Sequence, residues 1–557
     1  MKLRLRPVIG LLAAPLPVLA LAATPVFAAT PADSTGSLTA ARSTNLRGDL
    51  LPAVSHSIRT GKVAADRRIS VAVSLNQRDT AGLDTFLAQV TDPKSTQYKH
   101  YLTVNQFAQR FGATPATVAK VTEYLKSQGL TVSPATANHL TIEATGTAAQ
   151  VERAFGTSLA TFHDPTTQRD FFANTTAPAL PAEIASVVSD VSGLNDFAKY
   201  SHHATATKQA DPNAVTRAPS GLSPAKARTA YNVGSAISAG YTGKGSTVAL
   251  LEFSAFKQSN VTAYDKYYSL TPSTPTVVSA GGGTTDLSGE DEVELDIEVV
   301  QALAPGAAIK VYEAPNSDAG ETAIYAKLVS DNVPIISISW GIYEAGETAS
   351  NRTAVDTDLK EAAAQGQSVY AASGDSGSDD AGNGGTSVDF PAADPWVTGT
   401  GGTTLKTTST NAWSSETAWS GSGGGVSSSF ATPSYQSAVN TTGHRTVPDV
   451  AAVADPSTGW AIYTQGAWYT FGGTSAAAPN WAAFTALYNS EAAAKSKPAF
   501  GFANGTIYNL AASASRSTAF HDVTTGSNGA YSAASGYDKV TGWGSYNGAN
   551  FLKANLG

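Results

Sequence analysis

Between Gly243 and Asp375, apolar segments alternate with amphipathic ones, and this limits the fold more than any other feature of the chain. Strands are predicted at Ser246–Phe253, Ala308–Glu313, Ile335–Trp340 and Ser368–Asp375. Helices are predicted at about Asp291–Leu303, Gly320–Val329 and Ala354–Gln365. Apolar strands between helices require cover on both faces, so the expected class is α/β with a doubly wound parallel sheet. Ligand sites in such sheets lie at the carboxyl ends of the strands. Glu252, Trp340 and Asp375 fall there.

A chain of 557 residues exceeds one ordinary core. Residues 66–194 read as a separate α+β unit. Its predicted strands are Arg68–Leu75 and Leu140–Ala144, and its helices Thr80–Val90, Thr114–Gln128 and Thr147–Phe155. Residues 200–222 are small and polar without an apolar period, a linker composition in which His202 and His203 read as solvated. At the N-terminus, Lys2, Arg4 and Arg6 precede the apolar run Val8–Ala22 and the small-residue site Val26-Phe27-Ala28. That is a secretory signal pattern, too short and proline-broken for a membrane anchor. The expected map is a signal at 1–28, a leader unit at 29–199, a linker at 200–222 and the main unit at 223–557.

With no cysteine, a secreted chain must take its stability from a large core or a bound metal. From Ala214 onward there are 17 Lys+Arg against 29 Asp+Glu, a net charge of −12; the remainder holds 19 and 15, a net +4. An acidic body argues against a nucleic-acid partner. A cationic leader before an anionic body suggests electrostatic complementarity between the two. No membrane partner is expected, and a monomer is.

Gly473-Thr474-Ser475-Ala476-Ala477-Ala478-Pro479 opens a predicted helix running to about Ala494, with Pro479 tolerated near its start. Ser475 could be a nucleophile or a helix cap. A nucleophilic serine needs a base, and none of the eight histidines lies in a His-Gly-Thr or His-Gly-Ser box ahead of it. Carboxylates lie there instead, at Glu290, Asp291, Glu292, Glu294, Asp296 and Glu298. A carboxylate can serve as base in acid. Spacing alone leaves two pairs open, Glu292 with Asp296 and Glu294 with Glu298, each i,i+4 on one helix face. Asp375, at a strand-end turn, could donate to an oxyanion if protonated, or simply cap its own turn. The Gly- and Ser-rich stretches Ser376–Thr386 and Ser420–Ser429 read as loops. Near the C-terminus, Asp522, Asp538 and loop carbonyls offer oxygen-only ligands, the donor set Ca²⁺ prefers.

Taken together, several boxes resemble the sedolisin family of serine-carboxyl peptidases, its kumamolisin-like branch above all. They are Glu292-Val293-Glu294-Leu295-Asp296-Ile297-Glu298, Ser337-Ile338-Ser339-Trp340-Gly341, Ser373-Gly374-Asp375-Ser376-Gly377, Val388-Asp389-Phe390-Pro391-Ala392, Gly423-Gly424-Gly425-Val426-Ser427 and Gly472-Gly473-Thr474-Ser475. The resemblance implies a subtilisin-like catalytic domain and an autoprocessed secreted zymogen acting on proteins and peptides in acid. It implies Ser475 as nucleophile, Glu292 as base and acid, Asp296 as its partner, and Asp375 as the oxyanion acid. Glu252 and Trp340 would extend the proton network. Asp389, Gly423, Gly424 and Gly425 would bind substrate. One structural Ca²⁺ would be held by Asp522, Asp538 and the carbonyls of Val523, Ala534 and Gly536, with Ala534 standing where relatives have glycine. Residues 66–194 resemble the family's ferredoxin-like prodomain, which implies that the leader inhibits its own enzyme. Two other readings remain open: a neutral protease using His444 or His521, and a non-catalytic binding protein on the same scaffold.

Overall fold

Val248 and Leu250 point to one side of the strand Thr247–Glu252, Ala249 and Leu251 to the other, and all four are buried. This strand therefore needs cover on both faces. It lies within an eight-stranded sheet in the order Thr276–Ser279, Ala308–Glu313, Thr247–Glu252, Ile335–Ile338, Ser368–Ala372, Thr398–Thr407, Trp413–Ala418. Val450–Val453 also pairs with Thr398–Thr407. The pairings are parallel except for the closing hairpin of Thr398–Thr407 with Trp413–Ala418. Helices Glu290–Leu303 and Thr474–Ala494 cover one face. Helices Asp318–Ser330 and Ala349–Gln365 cover the other. The doubly wound sheet expected from the alternation is present.

The computed structural model describes residues 43–208, 220–271 and 274–557. The expected signal at 1–28 and part of the expected linker lie outside the described residues. Among the described residues, no helix is long and apolar enough to cross a membrane. Two helices begin earlier than their apolar period. Ser317 accepts from Gly320 N and Thr348 from Asn351 N, so polar caps set those starts.

The N-terminal unit is α+β, as expected. Its antiparallel sheet runs Thr131–Val132, Thr141–Thr147, Arg68–Leu75, Val188–Ser192. Helices Pro115–Ser127 and Ala148–Phe155 pack on it through Val121, Leu125, Val151 and Phe155. A second sheet, of Ile58–Lys62, Leu159–Asp164 and Arg169–Asn174, was not legible in the sequence. Those strands carry few apolar residues, and they close a small core with Leu51 and Ala53, distant in the chain.

This unit docks on helices Asp318–Ser330 and Ala349–Gln365. The expected charge complementarity is not what meets there. The ion pairs Arg67–Asp196 and Lys120–Glu183 are internal to the N-terminal unit. Across the interface, Asn195 donates to Asp318 at 2.7 Å, Tyr200 Oη to Glu321 at 2.8 Å and Asn138 to Glu361 at 2.7 Å. Asp49 and Asp190 lie buried beside each other at the same interface. The face joins acids to amides, hydroxyls and other acids.

The stretch read as an unstructured linker forms two strands. Ser201–His202 pairs antiparallel with Trp340–Tyr343, and Thr205–Lys208 pairs with Ala467–Gly472. Both pairings use backbone groups only, so no apolar period marks them. Likewise Gly425–Ala431, within the stretch read as a loop, is a strand paired with His444–Val447.

Candidate active site

Ser475 sits in the first turn of the helix Thr474–Ala494 and is fully buried. Pro479, four residues on, has no N–H to give back to the Ser475 carbonyl. That carbonyl accepts from Ser339 Oγ at 3.3 Å instead. Ser475 Oγ in turn donates to the Ser339 carbonyl at 3.3 Å. Ser339 Oγ also reaches both oxygens of Asp296 at 2.9 Å. Ser339 thus ties the serine to the acidic helix. It stands inside one of the family-like sequence boxes, yet no pattern singles it out.

The helix Glu290–Leu303 holds four fully buried carboxylates, at Glu292, Glu294, Asp296 and Glu298. Their hydrogen bonds separate the two candidate pairs. Glu294 accepts from Lys257 N and the Asn260 amide, and Glu298 from Tyr463 N. That second pair satisfies backbone and amide donors away from the serine. Asp296 faces Ser339, and Glu292 faces the cleft. Burial, with Glu252 and Glu292 nearby, pushes the Asp296 carboxyl well above its usual range. Glu252 accepts from Trp340 Nε1 at 2.7 Å, and burial raises its pKa strongly as well. A neutral carboxyl at these positions can hold or pass a proton.

The segment following the N-terminal unit lies in this cleft. His203 N donates to the Ser339 carbonyl at 3.1 Å, and Ser201 and His202 pair with Gly341 and Trp340. The His203 carbonyl accepts from Ser475 N at 3.0 Å. Gly473 has φ +98°, and a Cβ there would lie 2.1 Å from the His203 oxygen and 2.6 Å from Asp375 Oδ2. Only glycine lets these two oxygens come so close to the helix start. Asp375 Oδ1 accepts from Thr474 N at 2.8 Å and from its hydroxyl at 2.9 Å. Burial raises the Asp375 pKa to about 6, against the pull of His203 and the Thr474 bonds. Asp375 Oδ2 accepts from Thr205 Oγ1 at 3.4 Å.

His202 and His203 are therefore not solvated linker residues. His202 Nδ1 stands 3.2 Å from Glu292 Oε2, at ion-pair range but off the hydrogen-bond line, and its ring meets the edge of Trp340. Burial pulls the His202 pKa down, but Glu292, Asp291 and Asp375 outweigh it and lift it to about 9. His203 is 8% exposed, with Nε2 3.0 Å from Asp389 Oδ2.

The other expected residues take these places. Asp389 lies under the His203 side chain. Gly423 N donates to the Gly374 carbonyl at 2.8 Å, and Ser373 Oγ to the Gly423 carbonyl at 2.7 Å. Asn528 donates to the Gly424 carbonyl at 3.4 Å, and Gly425 opens the strand toward His444–Val447. These glycines brace the loop that carries Asp375. In the C-terminal loops, Asp522 accepts from Gly536 N at 2.9 Å, and Asp538 from Ala534 N at 3.0 Å and Val540 N and Thr541 N at 2.8 Å. Among the described residues no group of three or more His, Cys, Asp or Glu is placed to hold a metal ion. Two carboxylates and loop carbonyls remain a donor set for a hard cation. His521 stacks on Trp413 at 4.0 Å, and His444 is exposed on a strand.

A doubly wound sheet that cradles a peptide carbonyl on a helix-start serine, with acids where a histidine would serve, belongs to a subtilisin-like serine peptidase. Residues 55–197 match the family described as "Pro-kumamolisin, activation domain", and residues 273–544 match the "Subtilase family". Kumamolisin of Bacillus sp. (strain MN-32) is 34% identical over 90% of this chain and 94% of its own length. Sedolisin of Pseudomonas sp. (strain 101) is 32% identical over 87% of this chain and 86% of its own. The solved structure of Pseudomonas sedolisin, a serine-carboxyl proteinase complexed with two molecules of pseudo-iodotyrostatin, superposes with a TM-score of 0.55 and 31% identity. It covers 61% of this chain and 98% of that one. The chain belongs to the sedolisin family of serine-carboxyl peptidases, with its activation prodomain attached.

Proposed function

We propose that the chain is the secreted zymogen of an acid-active endopeptidase that matures by cutting its own His203–Ala204 bond. The observation that carries this reading is the His203 carbonyl on Ser475 N at 3.0 Å, with the preceding residues paired along Ser339–Gly341. Chain continues on both sides of that peptide, as paired strands at 201–202 and 205–208. An internal bond in this register favours endopeptidase action. Secretion is supported by the basic and apolar leader at 1–28.

In this reading Ser475 Oγ adds to the His203 carbonyl carbon and its proton passes to Glu292 as general base. The new oxyanion accepts from Ser475 N and from protonated Asp375. Glu292 then gives its proton to Ala204 N, the C–N bond breaks and an acyl-enzyme remains. Water, deprotonated by Glu292, releases the His203 carboxyl and returns the serine. Asp296, one helical turn on, holds the charge balance beside Glu292. Before the first step Glu292 must leave His202 for the serine, so the docked segment both presents a substrate and occupies the base. Ca²⁺ would be held by Asp522, Asp538 and the carbonyls of Val523, Ala534 and Gly536, tying the C-terminal loops.

The test is incubation of purified precursor at about pH 4, followed by N-terminal sequencing. A new terminus at Ala204 is expected, with Ser475→Ala and Glu292→Gln left intact because loss of either group costs several orders of magnitude. Cleavage of the Ser475→Ala precursor at the same rate, or a stable wild-type precursor, would overturn the reading.

A further inference from the structure

Between the turn after the strand Gly425–Ala431 and the loop after the helix Ala503–Ala511 lies an open cleft of about 590 Å³. That is the size of a small-ligand site. None of the residues assigned to the active site lines it. Its walls are Tyr435, Val439, Tyr508 and Trp543. The Tyr508 ring stands 4.9 Å from that of Tyr435 and meets Trp543 edge-on at 5.9 Å. Val439 is 38% exposed, a large apolar side chain left open to water beside these rings.

Two donors in this apolar frame lack acceptors. The Trp543 indole is buried, and its Nε1–H has no hydrogen-bond partner. Such an N–H is costly to leave unpaired, so the site calls for an oxygen from outside the chain. The Arg516 guanidinium lies over the same indole, 5.7 Å from the ring centre. Among the described residues it makes no ion pair. It is the charged residue of the cleft, and no Asp or Glu lines the walls with it. The acids behind them are engaged elsewhere. Asp449, which accepts from Tyr508 Oη at 2.7 Å, is paired with Arg445. Gly536, whose Cβ would stand 4.0 Å from Arg516 Nη1, gives its N–H to Asp522. Indole and guanidinium only donate, so their ligand must bring acceptor oxygens, and a guanidinium takes a carboxylate best.

We propose that this cleft binds the C-terminal carboxylate of a peptide whose last residue is apolar. The carboxylate meets Arg516 and Trp543 Nε1, and the side chain packs among Tyr435, Val439 and Tyr508. Ser517 adds a hydroxyl at the rim for the peptide group behind it. An inorganic anion would leave the aromatic walls unused, and an uncharged apolar molecule would leave both donors unpaired. Each cut by a peptidase makes one such terminus, so the site takes this enzyme's own class of product. It rests on the peptidase reading only for that supply.

The experiment uses the Ser475→Ala precursor, whose catalytic cleft is filled by its own strands at 201–202 and 205–208 and so is closed to added ligand. Calorimetric titration compares N-acetyl-phenylalanine, its amide and phenylpropionate at about pH 6, where a terminal carboxyl is ionised. N-acetyl-phenylalanine should bind roughly tenfold or more tightly than its amide, the factor expected for hydrogen bonds to a charged partner. Phenylpropionate, without the peptide group, should bind more weakly than N-acetyl-phenylalanine. Arg516→Gln should erase the preference for acid over amide. Trp543→Phe keeps a ring, removes the N–H and should weaken the acid several-fold while leaving the amide unchanged. Equal binding of acid and amide, or a preference that survives Arg516→Gln, would overturn the inference. Phenylpropionate binding as tightly as N-acetyl-phenylalanine would overturn the peptide assignment in favour of a free aromatic acid. Should Trp543→Phe lower the melting temperature of the free protein, Arg516→Gln, at an exposed side chain, decides alone. None of these failures touches the peptidase reading, which stands or falls on the cut after His203 in the wild-type precursor.

Discussion

Asp375 can serve an oxyanion only as a neutral acid, and burial sets that state by raising its pKa to about 6. In the proposed oxyanion role the donor would be present below about pH 6 and lost as pH rises past it, so turnover is expected to fall there. Asparagine keeps a donor without titrating. For Asp375→Asn, a pH profile of kcat should lose the fall near pH 6 expected of wild type. Asp375→Ala removes the donor altogether and should lower kcat by roughly 10²–10³ at every pH. Matching profiles for the alanine variant and wild type would remove Asp375 from the oxyanion site. Glycine at 473 is the counterpart on the backbone side, because a Cβ there would strike the peptide oxygen that Asp375 must meet.

Two elements carry the geometry. The helix Thr474–Ala494 delivers Ser475 and its N–H, and Pro479 frees the carbonyl that Ser339 then uses. The strand Trp340–Tyr343 holds the docked Ser201–His202 backbone on one edge and Asp389–Phe390 on the other. The C-terminal loops act at a distance: Val540 packs with Val523, and Asp538 bonds three amides around them. Asp538 is buried, and burial raises its pKa. A bound Ca²⁺ would relieve that cost. Saturating chelator, or Asp522→Ala, should lower the melting temperature of the processed enzyme by about 5 °C or more, since a ligand of the folded state alone stabilises it by mass action. An unchanged melting curve with chelator would count against calcium at these loops.

At the scale of the whole molecule, the docked prodomain buries acids against acids. Burial raises Asp49, beside Asp190, to about 8, and Asp318, near Glu347, to about 8; Glu347 itself rises to about 7. Glu321 and Glu361 shift the same way. A carboxyl raised in the docked state contributes fully below its ordinary value near ~4 and loses that contribution as pH climbs through the raised one. The raised carboxyls predict docking that is firmest in acid and not loosened by it. In the proposed mechanism acid acts on the cleft instead: it would protonate Asp375, the bond would be cut, and release would follow the cut. The Ser475→Ala precursor, which cannot cut itself, should show a melting temperature that falls from about pH 4 to about pH 8. A rise across that window would instead make loosening of the interface the trigger.

Alternation of strand and helix, the serine box without its histidine and the run of carboxylates are local patterns, so the sheet, the helix-start serine and the acidic helix could be read directly. Choosing Glu292 and Asp296 over Glu294 and Glu298 could not be done by spacing, because both pairs share the same helical period. That choice depends on what lies opposite: Ser339 and the cleft for one pair, Lys257, Asn260 and Tyr463 for the other. His202 and His203 read as linker residues because a strand that pairs only through its backbone leaves no apolar period. Local chemistry is written in neighbouring residues; which groups become partners, and which protons they keep, is decided by chain segments far apart in sequence that meet only when the sheet, the helices and the docked prodomain close around the cleft.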